Sequence, residues 1–310
     1  MFERTKWTTP PLVYVITLTW NRLQDTIDCL ASLAQLTYPN YRVLVVDNGS
    51  HDGTPDAIRE LFPEAELLVN ERNEGFQGGF NLGILLALKR GARFVMLINN
   101  DTIVQANLLD ELMAYAGTPG VGMLAPKIYY FAEPDRIWSV GGDCHPITFE
   151  VTHKGDNQLD CGQWDQVIER DFVAGCAILM TVALLERIGL FDTGYHPAYY
   201  EDADLCVRAR QAGFHLLLVP NARIWHKVAS SSGGMDSPYE RYLMARHSVR
   251  YFRKYVRGWK WLIVVPFRLG SALKTTVRLA RQKRFESISA YWRGLCDGWR
   301  MPIETAGDYL

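Results

Sequence analysis

The sequence has few cysteines, and their spacing suggests neither a metal knuckle nor a disulfide framework. Its six cysteines lie far apart, and no two of them form a CxxC pair. Closely spaced cysteine pairs hold structural zinc, and small secreted domains depend on dense disulfides. The cysteine pattern therefore favours a reducing, cytosolic setting.

Several other kinds of segment are also missing. Residues 1–9 lack the apolar centre of a signal peptide, so we expect no export. No GxGxxG or P-loop pattern occurs, which disfavours a dinucleotide or ATP site. The most apolar run, from Trp259 to Leu279, contains four cations, which disfavours a membrane-spanning helix.

The composition is that of an ordinary globular protein, with 310 residues, 48% of them hydrophobic and 22% charged. The net charge of −1 conceals an asymmetry. Residues 1–240 carry 18 Lys and Arg against 30 Asp and Glu, whereas residues 241–300 carry 15 against 2. This division suggests an acidic body joined to a basic tail that meets a polyanion, either a membrane surface or nucleic acid.

Within the body, strand-like and helix-like patterns alternate, which predicts a mostly parallel sheet. Runs of strand length are Leu12–Thr19, Tyr41–Val46, Leu67–Val69, Phe94–Ile98, Val121–Tyr130 and Asp171–Thr181. Runs with helical spacing are Leu23–Leu36, Pro55–Leu61, Gly79–Arg90 and Leu108–Ala116. Ligands of such sheets bind at the carboxyl ends of the strands, and the polar clusters of this sequence lie there.

Three polar segments follow these strands, and each has a functional and a structural interpretation. Asp47 opens a turn whose carboxylate suits the edge of a nucleobase, although it equally suits local backbone donors. The glycine-rich segment 72–81 permits close approach of a diphosphate or forms a simple turn. The segment Asn99-Asn100-Asp101 offers oxygen ligands to Mg²⁺ or Mn²⁺, or closes a strand-end turn.

A second acidic group begins a helix at Glu201, Asp202 and Asp204. Asp202 is the candidate general base, kept ionised by the helix dipole, although acids at a helix start also serve stability alone. Asp204 and Arg208 are spaced for an ion pair. His226, after an apolar strand, is either a metal ligand or a histidine that bonds a backbone carbonyl.

Together these motifs resemble the family 2 inverting glycosyltransferases with the GT-A fold, particularly the rhamnosyltransferase-like branch. The resemblance spans roughly residues 12 to 230. It rests on the motifs Thr19-Trp20-Asn21-Arg22, Asp47-Asn48-Gly49-Ser50-x-Asp52-Gly53-Thr54, Asn73-x-Gly75-x-x-Gly78-Gly79-x-Asn81-x-Gly83, Asn99-Asn100-Asp101 and Tyr200-Glu201-Asp202-Ala203-Asp204, where x is any residue.

The resemblance implies a role for each matching residue. Asp202 is the expected base, Glu201 helps to orient the base or the acceptor, and Asp101 and His226 are the expected ligands of Mg²⁺ or Mn²⁺. Asn99 replaces the first acid of the DxD motif, and its neutral amide weakens metal binding. The expected nucleotide-binding residues are Thr17, Thr19, Trp20, Asn21, Asp47, Asn48, Asn73, Gly75, Gly78, Gly79, Asn99 and Asn100.

The resemblance implies an α/β protein of GT-A type with a mostly parallel twisted sheet flanked by helices. Residues 1–236 form the catalytic domain, with nucleotide-sugar binding in 10–120 and acceptor binding and catalysis in 121–236. Residues 237–310 form a helical extension, basic and aromatic, with peripheral membrane contact expected through 241–300.

The expected function is inverting transfer of a sugar, first L-rhamnose from dTDP-rhamnose, to a hydroxyl of a glycan or lipid-linked glycan. A UDP-sugar is the second choice of donor. A sugar nucleotidyltransferase and a non-catalytic nucleic-acid-binding or membrane-binding protein are the alternatives. We expect a cytoplasmic enzyme at the inner face of the cell membrane, without a nucleic-acid partner and with homo-oligomerisation left open.

Overall fold

The computed structural model describes residues 2–228 and 235–303, which form a large twisted sheet flanked by helices. The strands are β1 (Val13–Thr19), β2 (Tyr41–Asp47), β3 (Glu66–Val69), β4 (Phe94–Asn99), β5 (Thr102–Val104), β6 (Val121–Tyr130), β7 (Ile137–Ser139), β8 (Gly142–Cys144), β9 (Val151–His153), β10 (Ile168–Arg170), β11 (Ala177–Thr181) and β12 (His215–His226). The helices are α1 (Leu23–Leu33), α2 (Thr54–Leu61), α3 (Gly75–Lys89), α4 (Leu108–Ala116), α5 (Val182–Ile188), α6 (Glu201–Gln211), α7 (Pro238–Tyr255), α8 (Trp261–Arg281) and α9 (Phe285–Arg300).

The strand order is β10-β12-β6-β11-β4-β1-β2-β3. The N-terminal half, β3-β2-β1-β4, is parallel throughout, as the alternation of strands and helices predicts. Thr19 pairs with Asp47 and Leu18 with Asn99, so β1, β2 and β4 end side by side. The predicted α/β fold class is confirmed, and the parallel arrangement belongs mainly to this half.

Beyond β4 the sheet is mixed, because β11 runs antiparallel to both β4 and β6. The start of β11 therefore lies at the same edge as the end of β4, where the Asn99 N–H donates to the Cys176 carbonyl over 2.9 Å. β12 lies parallel to β6 and also pairs with the short β5. This arrangement brings segments from both halves of the chain to one edge.

The glycine-rich segment forms the start of α3 rather than a loop before it. A Cβ on Gly79 would collide with Leu18, and one on Gly83 would lie 2.8 Å from Ile16 Cγ2. These glycines let α3 pack closely against the sheet. The first helical N–H groups are also occupied, since Asn73 Oδ1 accepts from Gly75 and the Pro197 carbonyl from Phe76. Gly78 and Gly79 lie within the helix, and their contact with a diphosphate stays a prediction.

Helices α7, α8 and α9 form the expected C-terminal helical extension. Tyr251, Phe252 and Tyr255 of α7 belong to the main apolar core, which joins the extension to the sheet domain. Within residues 2–228 and 235–303, none of the helices combines the length and the apolar character needed to cross a bilayer.

A buried ion cluster also joins the extension to the acidic body. Lys254 of α7 donates to Asp192 over 2.9 Å and to Asp204 over 2.6 Å. Arg250 binds both oxygens of Asp192, at 3.0 and 2.9 Å, and the predicted pair of Arg208 with Asp204 is present at 2.8 Å. Part of the basic charge of the tail therefore neutralises acids of the body, which the segment charges alone do not reveal.

Two glycine substitutions test the packing of α3. We expect Gly79→Ala to destabilise the protein by about 1–3 kcal/mol, because the added methyl overpacks against Leu18. Gly270→Ala in α8 is the matched control, since nothing lies within 4 Å of its added Cβ. This control should stabilise by about 0.5–1 kcal/mol through helix propensity. Urea unfolding measures both, and equal effects of the two substitutions would contradict the close packing.

Asp204→Asn tests the buried cluster. We expect a loss of about 3 kcal/mol or more, because Lys254 and Arg208 would keep their charges without the carboxylate between them. Asp56→Asn is the control, since Asp56 forms an exposed pair with Arg59, and such pairs contribute only about 0–1 kcal/mol. Thermal and urea unfolding measure the difference, and a wild-type stability for Asp204→Asn would show that the cluster does not hold α7 in place.

Candidate functional site

The pairing of β5 with β12 brings together Asp101 and His226, which are 125 residues apart in the sequence. Thr102 pairs with His226, and the Lys227 N–H donates to the Asp101 carbonyl over 2.8 Å. His226 Nε2 lies 3.1 Å from Asp101 Oδ1, and both residues are buried. The two residues that the sequence assigns to a metal therefore share one location.

The chemistry of this pair fits a divalent cation with an open coordination shell. Adjacent ligands of a cation with bonds near 2.1 Å lie about 3 Å apart, close to the separation of Asp101 Oδ1 and His226 Nε2. His226 Nδ1 is buried without a hydrogen bond among the described residues. Within residues 2–228 and 235–303, no cluster of three or more His, Cys, Asp or Glu side chains is placed to hold a metal. A cation at this pair would therefore take its remaining ligands from a substrate and water, as Mg²⁺ commonly does.

Asp202 lies in the first turn of α6. Its Oδ2 accepts the Gly175 N–H over 3.1 Å, and its Oδ1 accepts the Ala203 N–H over 2.8 Å. Burial raises the pKa of the Cys176 thiol well above its usual range, and the charges of Asp101 and Asp202 raise it further. Both carboxylates therefore lie near Cys176. The carbonyl of Cys176 accepts the hydrogen bond from the N–H of Asn99 at the end of β4.

The pKa of Asp202 is raised, whereas the sequence-based expectation was a carboxylate kept ionised by the helix dipole. Burial raises the pKa of Asp202, and its hydrogen bonds from Gly175 and Ala203 oppose this rise without cancelling it. The start of the helix does supply stabilising N–H groups, but desolvation outweighs them. The partly exposed carboxylate is therefore a stronger proton acceptor than an ordinary aspartate.

Glu201 does not share the environment of its neighbour. It is buried, and its Oε2 accepts a hydrogen bond from Gln77 Nε2 over 3.1 Å. Burial, followed by the charge of Asp202, raises the pKa of Glu201 well above its usual range. Glu201 thus connects α6 to α3, and the expected role of orienting an acceptor directly is not supported by this placement.

The backbone before α6 is unusual for bulky residues. Tyr199 and Tyr200 both have positive φ, at 77° and 72°. Such conformations cost free energy in residues with a Cβ and persist only where the surroundings impose them. Here they turn the chain so that Glu201 points inward and Asp202 lies beside Gly175.

Asp47, at the end of β2, has one occupied and one unpartnered oxygen. Its Oδ1 accepts the Ser50 N–H over 2.8 Å, which closes the turn as the structural interpretation predicts. Its Oδ2 is buried and forms no hydrogen bond within the described part of the chain. Leaving a buried oxygen unpaired is costly, so a donor from a bound molecule would be stabilising there.

Asn48, Asn73 and Gly75 are brought together, but mainly by bonds to one another. The Asn48 Nδ2 donates to the Gly75 carbonyl over 3.0 Å and to Asn73 Oδ1 over 3.2 Å. A Cβ on Gly75 would lie 2.5 Å from His196 Nδ1. These three residues therefore hold the start of α3 against β2 and the loop before α6.

The residues at the end of β1 differ in their exposure. The side chains of Thr17 and Thr19 are buried, and their contact with a nucleotide stays a prediction. Asn21 binds the Asp47 turn, because its N–H donates to Ser50 Oγ over 2.9 Å. Trp20 is 48% exposed beside it, which suits contact with a flat ring.

The two asparagines after β4 also differ. Asn100 Nδ2 donates to Thr19 Oγ1 over 3.2 Å and to Thr26 Oγ1 over 3.0 Å, which fixes the strand ends. Asn99 is partly exposed at the edge between β1 and β11. Asn99 therefore remains a predicted nucleotide contact, whereas the Asn100 amide is already engaged.

Four residues that support the site were given no individual role by sequence reasoning. Gln77 and Asn81 of α3 hold the segment before α6, because Gln77 also donates to the Tyr195 carbonyl and Asn81 exchanges two hydrogen bonds with the Phe191 backbone. Their spacing of four within an apolar helix was the available signal. Gly175 and His153 approach Asp202 only through tertiary folding, and no sequence pattern marks them.

Comparison with known proteins gives two rhamnosyltransferases among the relatives. The N-acetylglucosaminyl-diphospho-decaprenol L-rhamnosyltransferase of Mycobacterium tuberculosis is 27% identical over 289 residues, covering 82% of this chain and 90% of that protein. The dTDP-rhamnosyl transferase RfbF of Shigella flexneri is 20% identical over 296 residues, covering 93% of this chain and 95% of that protein. The protein y4gI of Sinorhizobium fredii is 27% identical over 81% of this chain, which spans only 28% of that relative.

Solved structures share the fold at low sequence identity. The structure of GalNAc-T7 with UDP, GalNAc and Mn²⁺ matches with a TM-score of 0.63 and 17% identity, over 80% of this chain and 48% of that one. The structure of the mannosyltransferase PcManGT of Pyrobaculum calidifontis with GDP-Man and Mn²⁺ matches with a TM-score of 0.57 and 18% identity. This match covers 97% of this chain and 77% of that one. These neighbours confirm the expected GT-A fold.

The family model "Glycosyl transferase family 2" matches residues 14–185. The match spans β1 to α5 and takes in more than half of the 310 residues. It includes Asp47, the start of α3 and Asp101, the elements that the strand ends bring to one edge. The chain therefore belongs to glycosyl transferase family 2.

Proposed function

We propose that the protein transfers a sugar from a nucleoside diphosphate sugar to an acceptor hydroxyl in a single displacement with inversion. The observation that carries this proposal is that Asp202 and Asp101 both lie near Cys176, with His226 Nε2 3.1 Å from Asp101 Oδ1. Such a reaction needs a base on one face of the sugar and stabilisation of the leaving diphosphate on the opposite face.

Asp202 is the proposed base. Its raised pKa strengthens it as a proton acceptor, and the Gly175 and Ala203 N–H groups fix the orientation of its carboxylate. Glu201 has the role of a positioning residue that holds α6 against α3 through Gln77. Asp204 holds the same helix from the other side through Lys254.

The leaving group is bound on the donor side. Asp101 and His226 would hold Mg²⁺ or Mn²⁺, which neutralises the charge of the departing diphosphate. Asp47 Oδ2 would accept an N–H of the nucleobase, and Trp20 and Asn99 would contact the nucleotide at the same edge. Because Asn99 supplies no charge, we expect weaker cation binding than at a site with two acids.

The first candidate donor is dTDP-rhamnose, which would supply L-rhamnose. The relatives from M. tuberculosis and S. flexneri support this choice by the activities in their names. A UDP-sugar is the second candidate, because Asp47 accepts an N–H from uracil as readily as from thymine. A UDP-dependent enzyme would use the same residues.

The proposed acceptor is a glycan or lipid-linked glycan of polysaccharide or cell-envelope synthesis. The name of the mycobacterial relative contains a diphospho-decaprenol carrier, which supports a lipid-linked acceptor. We place the enzyme in the cytoplasm at the inner face of the membrane, bound peripherally through residues 241–300. We propose no nucleic-acid partner, because the buried Arg250 and Lys254 are already paired with acids.

A substitution of Asp202 tests the base. We expect Asp202→Asn to lower transfer by a factor of about 10² or more while donor binding is retained. Its stability should not fall, because the raised pKa of Asp202 means that folding disfavours the charged form. Transfer is measured with labelled donor and lipid extract, with Asp56→Asn as the control for an exposed acid. Turnover of Asp202→Asn near that of the control would remove Asp202 from the role of base.

A donor screen tests the nucleotide and the cation together. Thermal unfolding with Mn²⁺ and each nucleotide sugar should show the largest upward shift for dTDP-rhamnose, because a ligand stabilises the fold that binds it. We expect Asp101→Ala to weaken donor binding about tenfold or more and to remove its sensitivity to chelator. Asp56→Ala is the matched control. A larger shift for a UDP-sugar would favour the second donor, and chelator-sensitive binding in Asp101→Ala would contradict the cation site.

A further inference from the structure

Helix α8 has its apolar stripe on the side that faces solvent. Leu262, Leu269 and Leu273 are exposed by 79%, 59% and 62%, whereas a leucine stripe normally faces a core. The spacing of this stripe is three or four residues, so its members share one face of the helix. We call this the outer face of α8, formed by Leu262, Pro266, Leu269, Leu273, Val277 and Ala280.

The opposite side of α8 is fixed against the protein. Val264, Ala272 and Leu279 are buried. Lys260 donates to the Pro146 carbonyl over 3.0 Å, and Arg268 donates to Ser248 Oγ over 3.0 Å. The helix therefore cannot bury its outer face by rotating without breaking these contacts.

Cations border the outer face, and α8 contains no acid. Lys274 and Arg281 form no ion pair with any residue in 2–228 or 235–303, whereas Arg278 pairs with Asp236. Leu273 and Val277 also line a groove of about 670 Å³, and these three cations line it too. Apolar side chains next to cations are complementary to a ligand with acyl chains and anionic headgroups.

The neighbouring hairpin leads from α8 towards the proposed base. Arg268 lies 3.4 Å from Glu150, which directly precedes β9. At the end of β9, the His153 ring contacts the Phe172 ring, with centroids 5.1 Å apart. Three residues after Phe172, the Gly175 N–H binds Asp202. Helix α8 is therefore linked through β9 to the segment that binds the proposed base.

We propose that the outer face of α8 docks on an anionic lipid bilayer, with its leucines in the acyl boundary and its cations among the phosphate groups. Trp259, which is 62% exposed in the turn just before the helix, suits the membrane interface. The docking rests on this surface alone, whereas the delivery of a lipid-linked acceptor to Asp202 rests on the proposed function.

A second copy of the chain fits the same surface less well. In a symmetric dimer through the outer face, the cations of one copy would approach those of its partner. Like charges held close at an interface are destabilising. An anionic bilayer, by contrast, is attracted by the same cations that would oppose self-association.

Vesicle cosedimentation of the full chain tests the proposal. Wild-type protein should bind vesicles of equal parts phosphatidylglycerol and phosphatidylcholine, and bind pure phosphatidylcholine much more weakly. The double variant Leu269→Glu, Leu273→Glu should lose binding, because each glutamate places charge in the acyl boundary. Lys274→Gln with Arg281→Gln should weaken binding about thirtyfold, since each cation contributes near an anionic surface, and raised salt should weaken the wild type similarly.

The matched control is Leu82→Glu with Leu85→Glu, which changes two exposed leucines on α3. It should bind vesicles as the wild type does, and all variants should keep the melting temperature of the wild type. Absence of wild-type binding, or equal loss in the α3 control, would overturn the proposal. A wild-type dimer that Leu269→Glu, Leu273→Glu converts to monomers, without vesicle binding, would identify a subunit interface instead.

Activity separates this proposal from the proposed function. The α8 leucine variant should transfer sugar to a water-soluble acceptor at the wild-type rate and lose transfer to an acceptor embedded in anionic vesicles. If the protein binds vesicles but transfers no sugar to any acceptor, the result would support the proposed docking surface and refute the glycosyltransferase function. Equal transfer of the variant and the wild type to the embedded acceptor would contradict acceptor delivery through α8.

Discussion

The site depends on the antiparallel pairing of β11 with β4. The hydrogen bond from the Asn99 N–H to the Cys176 carbonyl joins the last strand of the parallel half to the segment that binds Asp202. If β11 ran parallel to β4, its end rather than its start would lie at this edge, and Gly175 would be at the far side of the sheet. One reversal of strand direction thus brings the segment that binds Asp202 to the sheet edge where β4 ends before Asp101.

The acids of α6 show how adjacent residues acquire different tasks. Successive residues of a helix project about 100° apart, so Glu201 and Asp204 face the interior while Asp202 remains partly exposed. Glu201 binds Gln77, and Asp204 binds Lys254 and Arg208. Their bonds fix the helix from two sides, and a fixed helix is what a precisely oriented base requires.

The sequence predicted those features that local pattern determines. Strand periodicity gave β1, β2 and β4, and a spacing of four gave the pair of Asp204 with Arg208. The same spacing at Gly75, Gly79 and Gly83 marks one face of a helix, and α3 begins at Gly75, before the predicted helical run that starts at Gly79. The direction of β11, the inward turn of Glu201 and the burial of Lys254 depend on distant contacts, so composition and segment charge could not show them. The motif resemblance supplied the family, which the match over residues 14–185 establishes.

The central claim is that one pocket holds a nucleoside diphosphate beside Asp101 and His226, with Asp202 opposite. A crystal structure of the protein with Mn²⁺ and a nucleoside diphosphate tests it most directly, because the anomalous signal of manganese locates the cation without assumption. The account predicts a single strong peak in contact with Asp101 Oδ1 and His226 Nε2, with diphosphate oxygens completing its coordination and open space between the diphosphate and Asp202. A manganese peak away from Asp101, or a nucleotide separated from Asp202 by packed side chains, would contradict it.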